Sequence, residues 1–325
     1  MKLCTCTVAL LMALSTAGVF YLPPPSTKPE SGEKSKIRPA LFAPGAISTD
    51  DFESHPAFTP DGKTLYFVKS NANFTHWTIF ESNSVEGEWS TPRVAPFSGK
   101  YRDADPFITR DGELLYFISD RPVAGAKQGM DIWVMKRQGS GWGEPRNLGA
   151  PVNSPGDEWF PTLADNGTIY FGSDRPGGLG RTDIYRATPS GSEGNWNTPE
   201  NLGPAVNSAA DEFEPLIAPD ERFLIFMASG RSDGVGSGDL FLTKQIKGKW
   251  SSARPLPRGI NTPAMEISPK FTPDGKTFLF GSTRPRGRDN SDRAATSQKS
   301  TAPTSKYRGP GDIYQVDTAV LKLDE

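Results

Sequence analysis

Five acidic side chains recur at one position of a repeated segment, three residues before a proline that begins a short apolar run. They are Glu53, Asp103, Glu158, Glu212 and Glu266. Carboxylate oxygens are the ligands that Ca²⁺ prefers, so a ring of such acids at the mouth of a channel could bind this cation. The alternative is that each acid accepts hydrogen bonds from backbone N–H groups in the loop that enters its own repeat. Repetition in every copy favours this second, local role.

A second set of charged residues follows the apolar runs. An arginine in each of four loops precedes an aspartate that begins the next strand. The predicted pairs are Arg121 with Asp131, Arg175 with Asp183, Arg231 with Asp239, and Arg284 with Asp312. Because guanidinium and carboxylate groups can pair through two parallel hydrogen bonds, we expect these pairs to fasten each loop to its own repeat.

An enzyme needs a few residues in distinct roles, so its candidates are those that break the repeat. They are Asp51, Asp105, Asp157, Asp211, His55 and His76. His55 is the strongest single candidate, because its side chain differs from those at the corresponding places of the other repeats. The alignment sets it against Ala104, Phe160, Glu214 and Ser268. An asymmetric pocket around His55, Glu53 and other acids would indicate an enzyme, whereas a quasi-symmetric face would indicate a binding protein.

The elements that must position these residues are given by an internal repeat of about 50 residues. Repeats start near residues 56, 106, 161, 215 and 269, and each continues into a turn and a second apolar run. The turns lie at 60–62, 110–112, 165–167, 219–221 and 273–275. Proline and glycine favour tight turns at these places, and four short strands for each repeat are typical of one propeller blade.

The two ends of the repeat array predict how the ring closes. The fifth repeat lacks a fourth strand, and residues 37–44 have the character of that strand. The sequence therefore predicts an all-β, five-bladed propeller over residues 37–325, with an N-terminal strand completing the last blade. A six-bladed propeller is the alternative.

The Pro-Asp-Gly turns, the Leu-Tyr-Phe runs, the Ser-Asp-Arg-Pro loop at 173–176 and the Asp-Ile-Tyr strands resemble the TolB-like propeller repeat family. The resemblance spans residues 37 to about 317, and no segment within it corresponds to the separate N-terminal α/β domain of TolB. It implies the propeller fold, whereas members of the family differ too much in function to imply one activity.

The N-terminal segment indicates export. Residues 1–22 contain a mostly apolar run with the character of a signal peptide, and an uncleaved membrane anchor is the alternative. Residues 23–36 are predicted to be a linker. We therefore expect a periplasmic or extracellular protein, or one anchored to the membrane by its N-terminal segment. Both cysteines, Cys4 and Cys6, precede the repeats, so the propeller contains no disulfide or thiolate site.

The net charge of −2 gives no field that would attract nucleic acid. The sequence predicts a monomeric, non-catalytic binding or scaffold propeller that meets a protein or envelope polysaccharide through one face, with no catalytic residue assigned. Residues 285–311 are predicted to form a basic loop on that face. The alternative is a carbohydrate-active enzyme, a glycoside hydrolase or lyase with its site at the channel mouth, because five-bladed propellers host glycosidases with paired carboxylates.

Overall fold

The structure, a computed structural model, describes residues 37–71, 75–124, 129–191, 194–286 and 311–323. The predicted signal or anchor at 1–22, the linker at 23–36 and most of the predicted loop at 285–311 lie outside these ranges. Within them, no helix has the length and apolar character needed to cross a membrane. The regular elements are strands, followed by a short 3₁₀ helix at Thr318–Leu321.

The strands of the described part are short, as the dense turns predict. In chain order they are β1 (Ala40–Leu41), β2 (Phe52–Phe58), β3 (Thr64–Ser70), β4 (Trp77–Val85), β5 (Glu88–Trp89), β6 (Arg93–Val94), β7 (Asp103–Ile108), β8 (Leu114–Ser119), β9 (Asp131–Gln138), β10 (Gly141–Trp142), β11 (Arg146–Asn147), β12 (Glu158–Leu163), β13 (Ile169–Ser173), β14 (Asp183–Ala187), β15 (Glu200–Asn201), β16 (Asp211–Ile217), β17 (Phe223–Ser229), β18 (Asp239–Ile246), β19 (Lys249–Trp250), β20 (Arg254–Pro255), β21 (Glu266–Phe271), β22 (Thr277–Ser282) and β23 (Asp312–Asp317).

These strands form five antiparallel sheets, which are the blades of a five-bladed propeller. Blades 1 to 4 begin with β2, β7, β12 and β16, and blade 5 consists of β21, β22, β23 and β1. In blade 5, Ala40 pairs with Gln315 and Leu41 pairs with Tyr314. The predicted five blades and the closure of the ring by the N-terminal strand are therefore confirmed.

The second strand of each blade forms the core between neighbouring blades. Its sequence is apolar on both faces, as expected for a strand buried on both sides. One phenylalanine in the middle of each second strand is fully buried, and these are Phe67, Phe117, Phe171, Phe226 and Phe280. This packing holds the first strand of each blade against the central channel.

The Pro-Asp-Gly turns are structural. Asp61 accepts hydrogen bonds from Thr59 Oγ1 (2.6 Å) and from the N–H of Lys63 (3.0 Å). The same pattern recurs at Asp111 and at Asp274. These carboxylates accept hydrogen bonds from within their own turns, so the aspartates stabilise the turns and are not ligands of the channel.

Candidate functional site

Each first strand carries a β-bulge at the residue before its proline. The antiparallel register shifts there in all five blades. The bulged residues have positive φ angles, and they are His55 (53°), Asp105 (55°), Phe160 (52°), Glu214 (54°) and Ser268 (57°). A bulge re-aims a side chain, and here all five residues line the central channel. We call these five residues the pre-proline ring.

The ring corrects the predicted alignment in the second blade. The register places Asp105, rather than Ala104, at the position of His55. Ala104 lies one residue earlier, in a second set that lines the channel above the ring. The members of that set are Ser54, Ala104, Trp159, Phe213 and Ile267. The pre-proline ring therefore contains two acids and one histidine among five different residue types.

Three members of the ring meet inside the channel. His55 Nε2 lies 3.3 Å from Asp105 Oδ1 and 3.4 Å from Glu214 Oε1. The side chains are 13%, 3% and 7% exposed for His55, Asp105 and Glu214, so the contacts are shielded from bulk water. His55 Nδ1 lies 2.7 Å from Ser54 Oγ, and the imidazole stacks on Phe160 with ring centroids 5.2 Å apart. We call His55, Asp105 and Glu214 the channel cluster.

The backbone of the ring orients both carboxylates. Asp105 Oδ2 accepts a hydrogen bond of 3.2 Å from the N–H of Phe160 in the next blade. Glu214 accepts the N–H of Ser268, again in the next blade, with its second oxygen Oε2. Each carboxylate therefore offers one oxygen to His55 and anchors the other on a neighbouring bulge, which fixes its direction in the channel.

Burial and mutual contact shift the pKa values of Asp105 and His55. Burial raises the pKa of Asp105 to about 7, with His55 opposing and Glu214 reinforcing the shift. Burial alone would lower the pKa of His55, but Asp105 and Glu214 outweigh it and raise this pKa overall. A carboxyl group that titrates near neutrality, beside a second carboxylate, can donate a proton at physiological pH.

Above the cluster the channel widens into an apolar cavity of about 300 Å³. One wall is aromatic and is built from Trp159, Phe160 and Phe213 of blades 3 and 4, and blades 1 and 2 contribute the small residues Ser54 and Ala104 to the lining. The cluster itself lies at the base of this cavity, since all three of its members line both the cavity and the narrower space that follows it along the channel. We call this cavity the funnel.

Below the cluster the channel narrows to a space of about 40 Å³. The prolines that follow the bulges line it, together with Phe107, Thr162 and Lys270. Lys270 Nζ lies 4.5 Å from the centre of the Phe107 ring, and burial lowers the pKa of this lysine to about 8. A ligand the size of a sugar or phenyl ring therefore reaches the cluster from the funnel side.

The five recurring acids occupy a different place from the predicted one. We call them the loop acids, and the side chain of each is completely buried within its own blade. Glu158, for example, accepts the N–H (2.9 Å) and Oγ (2.6 Å) of Ser154, the Oγ of Ser173 (2.8 Å) and a guanidinium hydrogen of Arg175 (3.1 Å). Burial raises the pKa of every loop acid, against these hydrogen bonds and the neighbouring cation.

The loop acids therefore accept hydrogen bonds from the loops of their own blades, which is the local role given as the alternative. The predicted arginine–aspartate pairs are corrected by the same contacts. Each loop arginine reaches a loop acid instead, in the pairs Arg121–Asp103, Arg175–Glu158, Arg231–Glu212 and Arg284–Glu266. In blade 1 the cation is Lys69, which lies 3.3 Å from Glu53.

The third-strand aspartates have other partners. Asp183 accepts the N–H of Leu179 and the N–H of Gly180, and Asp239 accepts those of Val235 and Gly236. Asp131 accepts an amide hydrogen of Asn147, and Asp312 pairs with Arg286. The difference arises because the strand register brings the loop arginine back over the first strand, which composition alone does not reveal.

The remaining candidates lie away from the channel cluster. Asp51 is exposed and pairs with Lys69, and Asp211 pairs with Arg181. Asp157 accepts the N–H of Met130, and His76 contacts Asn71 and Thr75. Among the residues that the structure describes, no group of three or more His, Cys, Asp or Glu side chains is arranged to hold a metal ion. The binding of Ca²⁺ stays a prediction.

Of the three members of the channel cluster, His55 and Asp105 are candidates from the sequence, whereas Glu214 is not among them. The signal was present, because the residue before each proline is of a different type in every repeat. The bulge could not be read from the sequence, and simple alternation along a strand would have turned this position towards a neighbouring blade.

No family model matches the chain, and no curated protein matches it. Solved structures do resemble it. One is the catalytic domain of a GH62 α-L-arabinofuranosidase from Coprinopsis cinerea, with 12% identity, a TM-score of 0.52, and coverage of 87% of this chain and 97% of that chain.

Two further similar structures have lower TM-scores. An α-L-arabinofuranosidase from Lactobacillus brevis has 13% identity, a TM-score of 0.46, and coverage of 85% of this chain and 94% of that one. A puromycin-hydrolysing peptidase from Mycobacterium tuberculosis has 16% identity, a TM-score of 0.39 and coverage of 73% of this chain. The chain spans only 35% of the length of that peptidase.

The prediction of a non-catalytic binding or scaffold propeller was wrong. The fold is that of the Coprinopsis cinerea enzyme's catalytic domain over nearly the whole of both chains. The channel also holds an asymmetric pocket around His55, the feature that distinguishes an enzyme from a binding protein here, although its acids are Asp105 and Glu214 rather than Glu53.

Proposed function

We propose that this chain is a carbohydrate-active enzyme, a glycoside hydrolase whose catalytic groups lie at the base of the funnel. The observation that carries the proposal is the convergence of Asp105 and Glu214, from two non-adjacent blades, on one imidazole nitrogen. Most glycoside hydrolases use a pair of carboxyl groups that flank the bond to be cleaved.

The two carboxyl groups have different roles. Asp105 is the general acid, because burial raises its pKa to about 7 and keeps it protonated at the start of the reaction. Its proton passes to the glycosidic oxygen as the bond to the anomeric carbon breaks. Glu214 then receives a proton from the water molecule whose hydroxyl joins that carbon, so that the atoms and charges balance.

His55 is a positioning residue in this scheme. Its Nε2 holds one oxygen of each carboxylate, and Phe160 and Ser54 hold the ring itself. The fold likeness to an arabinofuranosidase catalytic domain supports the proposal at the level of architecture, since a propeller of this kind can house glycoside cleavage. The chemical support comes from the contacts of Asp105 and Glu214 with His55.

The test is a screen of the purified protein against chromogenic glycosides, with product analysis that separates hydrolysis from elimination. We expect hydrolysis by the wild type, its loss in Asp105→Asn and Glu214→Gln, and its retention in the control Asp51→Asn, whose side chain is exposed. A folded wild-type protein that turns over no glycoside would overturn the proposal, as would full activity in both channel variants.

A further inference from the structure

We infer that the funnel binds the leaving group of the substrate and that this group is an aromatic ring, so that the substrates are aryl glycosides. The inference rests on the proposed function, because it names the substrate class of the same site. It concerns the part of the substrate that lies beyond the bond being cleaved.

The chemistry of the funnel wall is the first argument. Apart from the channel cluster, its polar side chains are Ser54 and Ser70, and the remainder are aromatic, aliphatic or methionine side chains. A sugar ring carries several hydroxyl groups, and each one buried here without a partner would lose its hydrogen bonds to water. An apolar ring meets no such penalty, so the sugar lies at the base of the funnel beside the polar channel cluster, and the apolar part above it takes the leaving group.

The volume is the second argument. A cavity of about 150 Å³ lined by apolar side chains holds one benzene molecule. The funnel has about 300 Å³ and therefore has room for one sugar ring beside the channel cluster and one aromatic ring above it. Long polymers of sugar residues do not fit into it.

The shape of the funnel is the third argument. Trp159, Phe160 and Phe213 offer ring faces and edges on one side, and Trp77 meets Trp159 in an edge-to-face contact with centroids 6.0 Å apart. Ala104, in the neighbouring blade, lines the same cavity and takes up little of it because its side chain is small. An aromatic ring of the ligand placed in this space packs against the aromatic wall, which favours offset-stacked or edge-to-face contacts.

The position of the acid agrees with this placement. Asp105 directly follows Ala104 and lines the funnel with it, so the proton donor borders the cavity that takes the ring. The donated proton goes to the phenolic oxygen, the bond between that oxygen and the anomeric carbon breaks, and a neutral phenol leaves. Ser70 Oγ is buried at the funnel wall and has no hydrogen-bond partner among the described residues, so a hydroxyl or methoxy group on the ring would satisfy it.

The experiment measures binding and turnover separately. The binding probe is 2-naphthol, followed by tryptophan fluorescence and calorimetry, with xylose as the polar comparison. Ala104→Leu fills the funnel and Phe213→Ala removes part of its aromatic wall. Ala209→Leu, at an exposed position, and Phe97→Ala, which packs outside the funnel, are the matched controls. Thermal melting shows that each variant is folded.

We expect 2-naphthol to bind the wild type at least tenfold more tightly than xylose does. It should bind at least tenfold more weakly to both funnel variants and equally well to both controls. For one sugar, kcat/KM should be at least a hundredfold higher with an aryl than with a methyl leaving group, and Ala104→Leu should remove this preference.

Failure of the inference and failure of the proposed function are distinguishable. Equal turnover of methyl and aryl glycosides would overturn the inference and leave the glycoside hydrolase standing. Unchanged 2-naphthol binding in both folded funnel variants would also overturn it. Binding of 2-naphthol that both funnel variants weaken, without turnover of any glycoside, would support the aromatic site and overturn the proposed hydrolase.

Discussion

Glu212 and Glu214 lie two residues apart on β16, and their surroundings differ in kind. Glu212 is a loop acid whose partners, Ser208 and Arg231, belong to its own blade. Glu214 is a member of the pre-proline ring and reaches His55 across the channel. The first position is acidic in every blade, whereas the second is different in every blade.

The difference shows how a repeat protein separates stability from chemistry. A role that must be repeated, such as closing a loop, is met by the same residue type in each blade. A reaction needs different groups in different roles, so it uses a position where the blades diverge. The bulge makes this possible, because it turns one residue of each blade towards its counterparts in the other four.

The largest expected effect concerns Glu214. We predict that Glu214→Gln lowers kcat/KM for a glycoside by about 10²–10⁴-fold, the usual contribution of a positioned acid or base. The melting temperature should stay close to that of the wild type, since the amide still accepts the N–H of Ser268. Steady-state kinetics and calorimetry check both parts, and a large loss of stability with normal turnover would reverse the assignment of the two positions.

The matched substitution on the same strand is Glu212→Ala. It leaves the Arg231 guanidinium, which is only 15% exposed, and the hydrogen-bond donors of Ser208 without their carboxylate. We expect a loss of about 3–5 kcal/mol in the free energy of unfolding, as is typical when one partner of a buried pair is removed. Turnover by each folded molecule should be unchanged; urea denaturation with activity measured on the folded fraction decides this.

Protonation of Asp105 makes the stability of the protein depend on pH. Its pKa in the folded protein, about 7, lies above the value of about 3.9 in an unfolded chain. The stability that its protonation provides is therefore fully present below about pH 4 and is lost as the pH rises through 7. Asp105→Asn lacks this dependence, so we expect its stability relative to the wild type to increase between pH 5 and pH 8, on the order of a few kcal/mol at most.

The rate of hydrolysis should fall with rising pH, as the stability does. Hydrolysis needs protonated Asp105, so kcat/KM of the wild type should fall as the pH rises above about 7. A rate profile that is flat from pH 6 to pH 9 would contradict the role of Asp105 as the general acid. Denaturation and kinetics on one set of buffers measure both effects.

The smallest effect is expected at Ser268, the fifth member of the pre-proline ring. Its hydroxyl is buried without a partner among the described residues, and its contact with Glu214 is made by the backbone. We predict that Ser268→Ala changes the free energy of unfolding by less than about 1 kcal/mol and kcat/KM by less than about threefold. A loss of activity comparable to that of Glu214→Gln would show that the hydroxyl belongs to the reaction.

The sequence predicted the architecture because the repeat carries it locally. The turn residues, the apolar second strands and the incomplete fifth repeat were sufficient to derive five blades and the closure at Ala40 and Leu41. These features depend on short-range conformational preferences and on burial, both of which are visible in residue types.

The site could be predicted only in part. His55 and Asp105 were candidates because they break the repeat, but Glu214 was missed and the loop acids were expected at the channel mouth. Both errors have one physical cause, since a bulge of one residue decides which side chain of a first strand enters the channel. Likewise, the partner of each loop arginine depends on the register of two strands, and the sequence does not display that register.

The pairing of β1 with β23 also constrains how the chain folds. Leu41 and Tyr314 are separated by nearly the whole length of the propeller, whereas the other strands of each blade pair with close neighbours in the sequence. Contacts of such long sequence separation form slowly, because the entropy of bringing the ends together must be overcome first. During synthesis, blades 1 to 4 can form as the chain emerges, but blade 5 must wait for its last strand. The ring therefore closes only after the C-terminal strand has been made, and until then the exposed edge of the unfinished blade is open to association with other chains.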